Sequence, residues 1–162
     1  MRLMIILCCV VLGCGEDPPF PEDYQTSWQE VVPCSEGSVH DGDSIRIFVN
    51  AIAQPTWADW KQRVEDAGLG ILPPGEMIQF QPGAVLLKAQ YGNSNCSSFK
   101  SWTMMTRLEV GGDTAQGNWR WETVLPDEDQ QPQQPTAGGT SCFECHQNYR
   151  RTDYAGNSQV VP

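Results

Sequence analysis

The alternation of apolar and polar residues predicts four β-strands in the middle of the chain. In "DSIRIFVNAI", Ile45, Ile47 and Val49 take every second position, which is the period of a strand with one buried face. Three later stretches have strand-like composition and are bounded by turn residues: "PGAVLLKAQY", "FKSWTMMTRLEV" and "NWRWETVL". Together these stretches predict a largely antiparallel sheet.

The stretch "QPTWADWKQRVEDAGLG" predicts the clearest helix. Pro55 stands where a first helical turn tolerates proline, and Gly68 is typical of a helix end. Trp57, Trp60 and Val64 recur at helical spacing, so they predict one apolar face. Shorter helical segments are predicted in "DYQTSWQEVV" and from Ser141 to Tyr149. With the strands, this indicates an α+β fold, mainly antiparallel sheet with a few packed helices.

The first residues have the pattern of an export signal. Residues 1–13 contain a ten-residue apolar run, Leu3 to Leu12, which is too short to span a bilayer. Gly13 directly before Cys14 resembles a lipoprotein cleavage site, after which Cys14 would be acylated. An ordinary secretory signal cut elsewhere is the alternative. Either way the mature protein is predicted to be exported, to the periplasm or to an outer-membrane anchor.

The remaining chain is predicted to hold one domain. Residues 14–34 are interpreted as a tether and leader, 35–155 as the domain, and 156–162 as a tail. Within the domain, the Pro/Gln-rich residues 126–139 have no hydrophobic period and predict a solvated loop.

The composition argues against nucleic acid as a partner. Twenty acidic and ten basic residues give a formal net charge of −10, whereas phosphate contacts need clustered Lys and Arg.

Two cysteines remain as a pair once the others have been assigned. Five cysteines follow the signal residues 1–13; with Cys14 interpreted as a lipid site and Cys142 and Cys145 as a motif, Cys34 and Cys96 are left. In an oxidising compartment they form either a disulfide or two separate thiols, and the sequence leaves both open.

The stretch "CFECH" carries the main chemical signal. Two cysteines three apart, Cys142 and Cys145, followed directly by His146 form the attachment motif of c-type haem. The thiols form thioethers with the porphyrin, and the adjacent imidazole becomes the proximal iron ligand. A thioredoxin-type pair would need a preceding strand, and a zinc site would need further ligands. One covalent haem c is therefore predicted.

The second axial position of the iron has no ligand downstream of the motif. The residues after His146 contain no Met or His, so a distal ligand would have to come from His40, Met77, Met104, Met105 or a lysine. Both Met104 and Met105 are interpreted as core, and His40 as a structural or surface residue. The prediction is an iron with an open face that binds small molecules.

The order of the motifs resembles the cytochrome P-460 and cytochrome c′-beta family. The likeness rests on "HDGDSIRIFVNAIA", "PGAVLLKAQY", "SWTMMTRLEVGGDTAQGNWRWETV" and the final "CFECH", and it covers about Ser35 to His146. The resemblance implies an antiparallel sheet with packed helices, one haem c, often a homodimer, and an iron that meets nitric oxide or hydroxylamine.

Within that family, a lysine separates two kinds of protein. Cytochrome P-460 itself carries a lysine joined covalently to the porphyrin and oxidises hydroxylamine, whereas the c′-beta members lack the bond and bind gases. Lys88 in "VLLKAQY" is the candidate here, and a lysine that snorkels from a sheet face is the interpretation preferred to a cross-link. Three functions follow: a nitric oxide-binding haem protein, a hydroxylamine or nitric oxide oxidoreductase, and an electron-transfer cytochrome whose redox partner the sequence does not specify.

Overall fold

A six-stranded antiparallel sheet with short helices makes up the part of the protein that the computed structural model describes, residues 20–36 and 43–155. The fold is therefore α+β, as predicted. The signal segment, Cys14, His40 and the tail after residue 155 lie outside the described residues.

The strands lie side by side in the order in which they occur in the chain, β1 to β6. Their bounds are β1 Gln29–Glu36, β2 Ser44–Val49, β3 Val85–Tyr91, β4 Phe99–Arg107, β5 Trp119–Val124 and β6 Thr136–Ala137. The α-helices are α1 Tyr24–Ser27, α2 Gln54–Ala67 and α3 Gly139–His146, and 3-10 turns occupy Thr114–Gln116 and Gln147–Thr152. Helix α2 ends directly before Gly68, as the sequence predicted.

Each face of the sheet carries its own buried cluster. We call one the helix face, because α2 covers it through Trp57, Trp60 and Val64. Cross-strand pairing places Leu86 opposite Met105, and Met105 opposite Trp121, on this face. Every second residue points the other way. Those residues form the N-terminal face, whose members include Phe48, Leu87, Ala89, Trp102 and Met104.

The residues before β1 cover the N-terminal face. Phe20 and Tyr24 are buried there, and the Tyr24 hydroxyl accepts a 3.0 Å hydrogen bond from Trp102 Nε1. Residues 14–34 were predicted to be a tether and leader, but residues 29–34 belong to β1, and α1 is a single turn.

A disulfide joins Cys34 of β1 to Cys96 of the turn between β3 and β4. It links residues 62 apart in sequence, and it ties the edge strand to the centre of the sheet.

Two predicted elements differ in extent from the structure. Strand β4 ends at Arg107, so Val110, the last residue of the predicted strand "FKSWTMMTRLEV", is 86% exposed. Within the predicted 126–139 loop, Pro126 pairs with Pro132, and Thr136–Ala137 adds β6 to the sheet. Among the described residues, no helix combines the length and the apolar character that crossing a bilayer requires.

Candidate functional site

A cavity of about 450 Å³ lies between the helix face of the sheet and the C-terminal helix. The sheet contributes Ile47, Leu86, Lys88, Met105 and Trp121, helix α2 contributes Trp57, and α3 contributes Cys142, Cys145 and His146. The volume is within the range of roughly 300–1,000 Å³ that is usual for small-molecule and cofactor sites. The fold thus brings the three motif residues and Lys88 into one mainly apolar cavity.

Helix α3 lies directly on strand β5 because Gly138 leaves room for it. The Gly138 amide donates a 2.7 Å hydrogen bond to the Trp121 carbonyl. A Cβ on Gly138 would stand 3.2 Å from Cys142 Sγ and 3.2 Å from the Trp121 backbone. This close approach places the first thiol at the cavity wall. Cys142 is half-buried and Cys145 is exposed, and both are free thiols.

The His146 ring is held by one backbone carbonyl. Its Nδ1 lies 2.6 Å from the Tyr154 carbonyl oxygen, which only accepts, so Nδ1 carries the proton and Nε2 keeps its lone pair. The Trp121 ring packs edge-on at 4.9 Å between centroids. Burial lowers the pKa of His146 below its ordinary 6.5, the Lys88 charge adds to that lowering, and the Tyr154 carbonyl opposes it. The imidazole is therefore in its neutral, metal-binding form.

Lys88 projects from the middle of β3 into the same cavity, on the helix face. Burial lowers the pKa of its amine to about 8, although Cys142, Cys145 and Asp43 oppose the change. The snorkelling lysine and the cross-linked lysine both remain interpretations of this position.

The three methionines considered as distal ligands lie in different parts of the fold. Met105 is buried on the helix face and lines the cavity. Met104 also contributes to the cavity lining, but its side chain belongs to the buried cluster on the N-terminal face. Met77 is 66% exposed and is not part of the lining. His40 lies outside the described residues. Within the described residues, no group of three His, Cys, Asp or Glu side chains is arranged to hold a metal ion.

A protein-family model supplies the comparison that decides the classification. The model described as cytochrome P-460 matches residues 21–155, which is most of the chain. The chain belongs to the cytochrome P-460 family. The match begins before β1, so it includes residues that the sequence interpretation had left outside the domain. No curated protein matches the chain at a significant level.

Membership of the cytochrome P-460 family implies a haem cofactor, and the cavity fits one. Two free thiols and a neutral imidazole with an available Nε2 line one wall. The opposing wall is mostly apolar, as a porphyrin face requires.

Sequence reasoning found the motif but missed the groups that orient it. The Tyr154 carbonyl, eight residues after His146, carries no side-chain signal that a motif search could use. Trp57 was predicted on the apolar face of its helix, and its place at the cavity, near Trp121, depends on how α2 and β5 pack.

Proposed function

We propose that this cytochrome P-460 family protein is an exported c-type cytochrome with one covalent haem and an open distal iron position for nitric oxide. The observation that carries the proposal is the shared cavity wall formed by Cys142, Cys145 and His146. Haem bound there supplies an iron centre that takes up small ligands.

Each motif residue has a separate role in this proposal. Cys142 and Cys145 hold the porphyrin through thioethers, and His146 Nε2 ligates the iron. Leu86, Met105 and Trp57 give the cavity apolar walls on the side of the sheet and of α2. An apolar setting favours a neutral diatomic ligand over charged species, which would lose their hydration.

Covalent attachment is tested by haem staining after denaturing electrophoresis. We expect wild-type protein to stain, and Cys145→Ala to lose most of the stain because one thioether is gone. Glu144→Gln is the matched control, since it changes an exposed residue of the same helical turn and leaves both thiols. Wild-type protein without stain would refute the proposal.

The open iron position is tested by absorption spectroscopy. We expect a high-spin ferrous spectrum that changes when nitric oxide or carbon monoxide is added. A low-spin spectrum in both oxidation states, with no response to carbon monoxide, would instead identify an electron-transfer cytochrome.

Lipid anchoring is tested by fractionation. Cys14→Ser should move the protein from the membrane fraction to the soluble exported fraction. If the distribution of Cys14→Ser matches that of wild type, acylation at Cys14 is wrong.

A second function is favoured by one observation, the position of Lys88. Its amine lies in the cavity, and a pKa of about 8 leaves a substantial neutral fraction at mildly alkaline pH. A neutral amine is the form that reacts with a macrocycle, so a cross-linked hydroxylamine or nitric oxide oxidoreductase is the alternative. Mass spectrometry of the haem peptide decides: a second attached peptide containing Lys88 identifies the enzyme.

A further inference from the structure

The chain after His146 turns back sharply to bring a carbonyl to the imidazole. The turn is made by Asp153 and Tyr154, whose φ angles are 50° and 65°. This left-handed region is unfavourable for residues other than glycine, so surrounding contacts must hold the turn in place.

Those contacts converge on the Asp153 carboxylate. Its Oδ2 accepts a 2.8 Å hydrogen bond from the Phe80 amide, and its Oδ1 lies 3.2 Å from Arg107 Nη1. Asp153 and Arg107 are 6% and 7% exposed. Two charged side chains are thus buried beside the turn whose carbonyl contacts His146.

Arg107 in turn is fixed by the sheet. It is the last residue of β4, and its Nη1 donates a 2.5 Å hydrogen bond to the Gly117 carbonyl. Its guanidinium lies 5.4 Å from the centre of the Trp119 ring, in cation–π geometry. The ion pair therefore connects the Asp153–Tyr154 turn to the rigid ends of β4 and β5.

The Tyr154 ring is confined from two sides. A Cβ on Gly117 would come within 2.6 Å of Tyr154 Cε2, so the ring lies directly against that glycine. The Phe143 ring of α3 packs on it at 5.6 Å between centroids. With the ring and the preceding carboxylate both fixed, the Tyr154 carbonyl has little freedom to move away from His146.

We propose that Arg107 and Asp153 are positioning residues that hold the Tyr154 carbonyl against His146 Nδ1 and so set the donor strength of Nε2 toward iron. The proposal rests on the proposed function, because it needs His146 as the iron ligand. A hydrogen bond from Nδ1–H makes the imidazole a more basic ligand, and a looser bond makes it a weaker one.

Buried ion pairs are poor sources of stability but restrict a site to one arrangement. Burial raises the pKa of Asp153 above its ordinary value, although the Phe80 amide and Arg107 oppose the rise. The role of the Asp153–Arg107 ion pair is therefore to be sought in its effect on His146 and not in its contribution to stability.

The test compares the iron–histidine stretching band of ferrous holoprotein, by resonance Raman spectroscopy, in wild type and Asp153→Asn. We expect the variant band at lower wavenumber and the haem midpoint potential to be higher, since a less basic imidazole stabilises ferric iron less. Glu30→Gln is the matched control. It also breaks an ion pair, the 2.7 Å contact with Arg46, but on a strand pair at the other edge of the sheet.

A band that moves in Asp153→Asn and not in Glu30→Gln supports the proposal. An unmoved band, or an equal movement in both variants, overturns it and leaves the proposed function standing. Should Asp153→Asn not fold, Arg107→Met decides in its place, since methionine has no hydrogen-bond donor for Asp153 or Gly117. An unshifted band in Arg107→Met overturns the proposal. Wild-type protein without covalent haem stain overturns the proposed function itself.

Discussion

At the scale of single residues, the burial of the Lys88 amine lowers the stability of the folded protein when that amine is charged. The amine lies in a mainly apolar cavity, and burial lowers its pKa from 10.5 to about 8. Between these two values the unfolded chain binds more protons than the folded one, so the free energy of unfolding rises with pH across that window. Below pH 8 the full penalty is present, on the order of 3 kcal/mol at about 1.4 kcal/mol for each pKa unit.

We therefore expect Lys88→Met to be more stable than wild type at pH 7 and to lose that advantage as the pH approaches 10.5. Thermal unfolding at a series of pH values measures the difference. Lys61→Met is the control, because it removes the same charge from an exposed helix residue whose side chain is 58% accessible. If the stability gained by Lys88→Met did not change with pH, the gain could not come from removing a buried charged amine.

Met105 lines the cavity from the helix face of the sheet, and substituting it tests the axial ligation. Met105→Leu conserves volume, so we expect less than about 1.5 kcal/mol loss of stability. Under the proposed function, in which the distal position of the iron is open, the ferrous absorption spectrum should stay high-spin. A change from low-spin to high-spin on this substitution would mean that Met105 is the distal ligand.

At the scale of elements, the contact between α3 and β5 positions the cysteine motif. Gly138→Ala would place a methyl group 3.2 Å from Cys142 Sγ and from the Trp121 backbone, so the helix must shift. We expect a loss of about 1 kcal/mol in unfolding free energy and a weaker haem stain per protein. Chemical denaturation and staining measure the two effects.

Gly92→Ala is the matched control for that substitution. Its added methyl would meet the Lys100 side chain at 3.2 Å, and that flexible chain can move aside. Equal effects in both variants would contradict a special role for the α3–β5 contact.

The sequence predicted the elements that have a clear local signature. Helix α2 repeats with the helical period, and its Trp57, Trp60 and Val64 are buried as predicted. Strands β2 to β5 were predicted from strand-like stretches between turn residues, but β2 was expected to bury one face only, and Phe48 on its other face is 1% exposed. Strand β1 was missed because Pro33 and two register shifts break its alternation, which an edge strand tolerates.

The residues of the candidate site also fall into those that a local pattern predicts and those that it does not. Cys142, Cys145 and His146 are adjacent in sequence, so a motif reveals them. Arg107 and Asp153 meet only through folding, and neither has a residue pattern that links it to His146.

At the scale of the whole molecule, the Cys34–Cys96 disulfide closes a long loop between the edge strand and the sheet centre. We expect Cys34→Ala with Cys96→Ala to lower the free energy of unfolding by roughly 4 kcal/mol, because the denatured chain regains the entropy of that loop. Denaturation of oxidised and reduced wild type gives the matched comparison. Under the proposed function, the affinity for nitric oxide should not change, since neither cysteine lines the cavity. A large drop in affinity would show that the edge strand supports the site directly.

The two faces of the sheet differ in what they need from a cofactor. The aromatic cluster of Phe20, Tyr24, Phe48 and Trp102 is complete from protein atoms alone, while the helix face leaves a cavity. If the chain carries the covalent haem proposed above, one side of the sheet can pack before any porphyrin arrives, whereas the other side would be filled only once the porphyrin has joined Cys142 and Cys145.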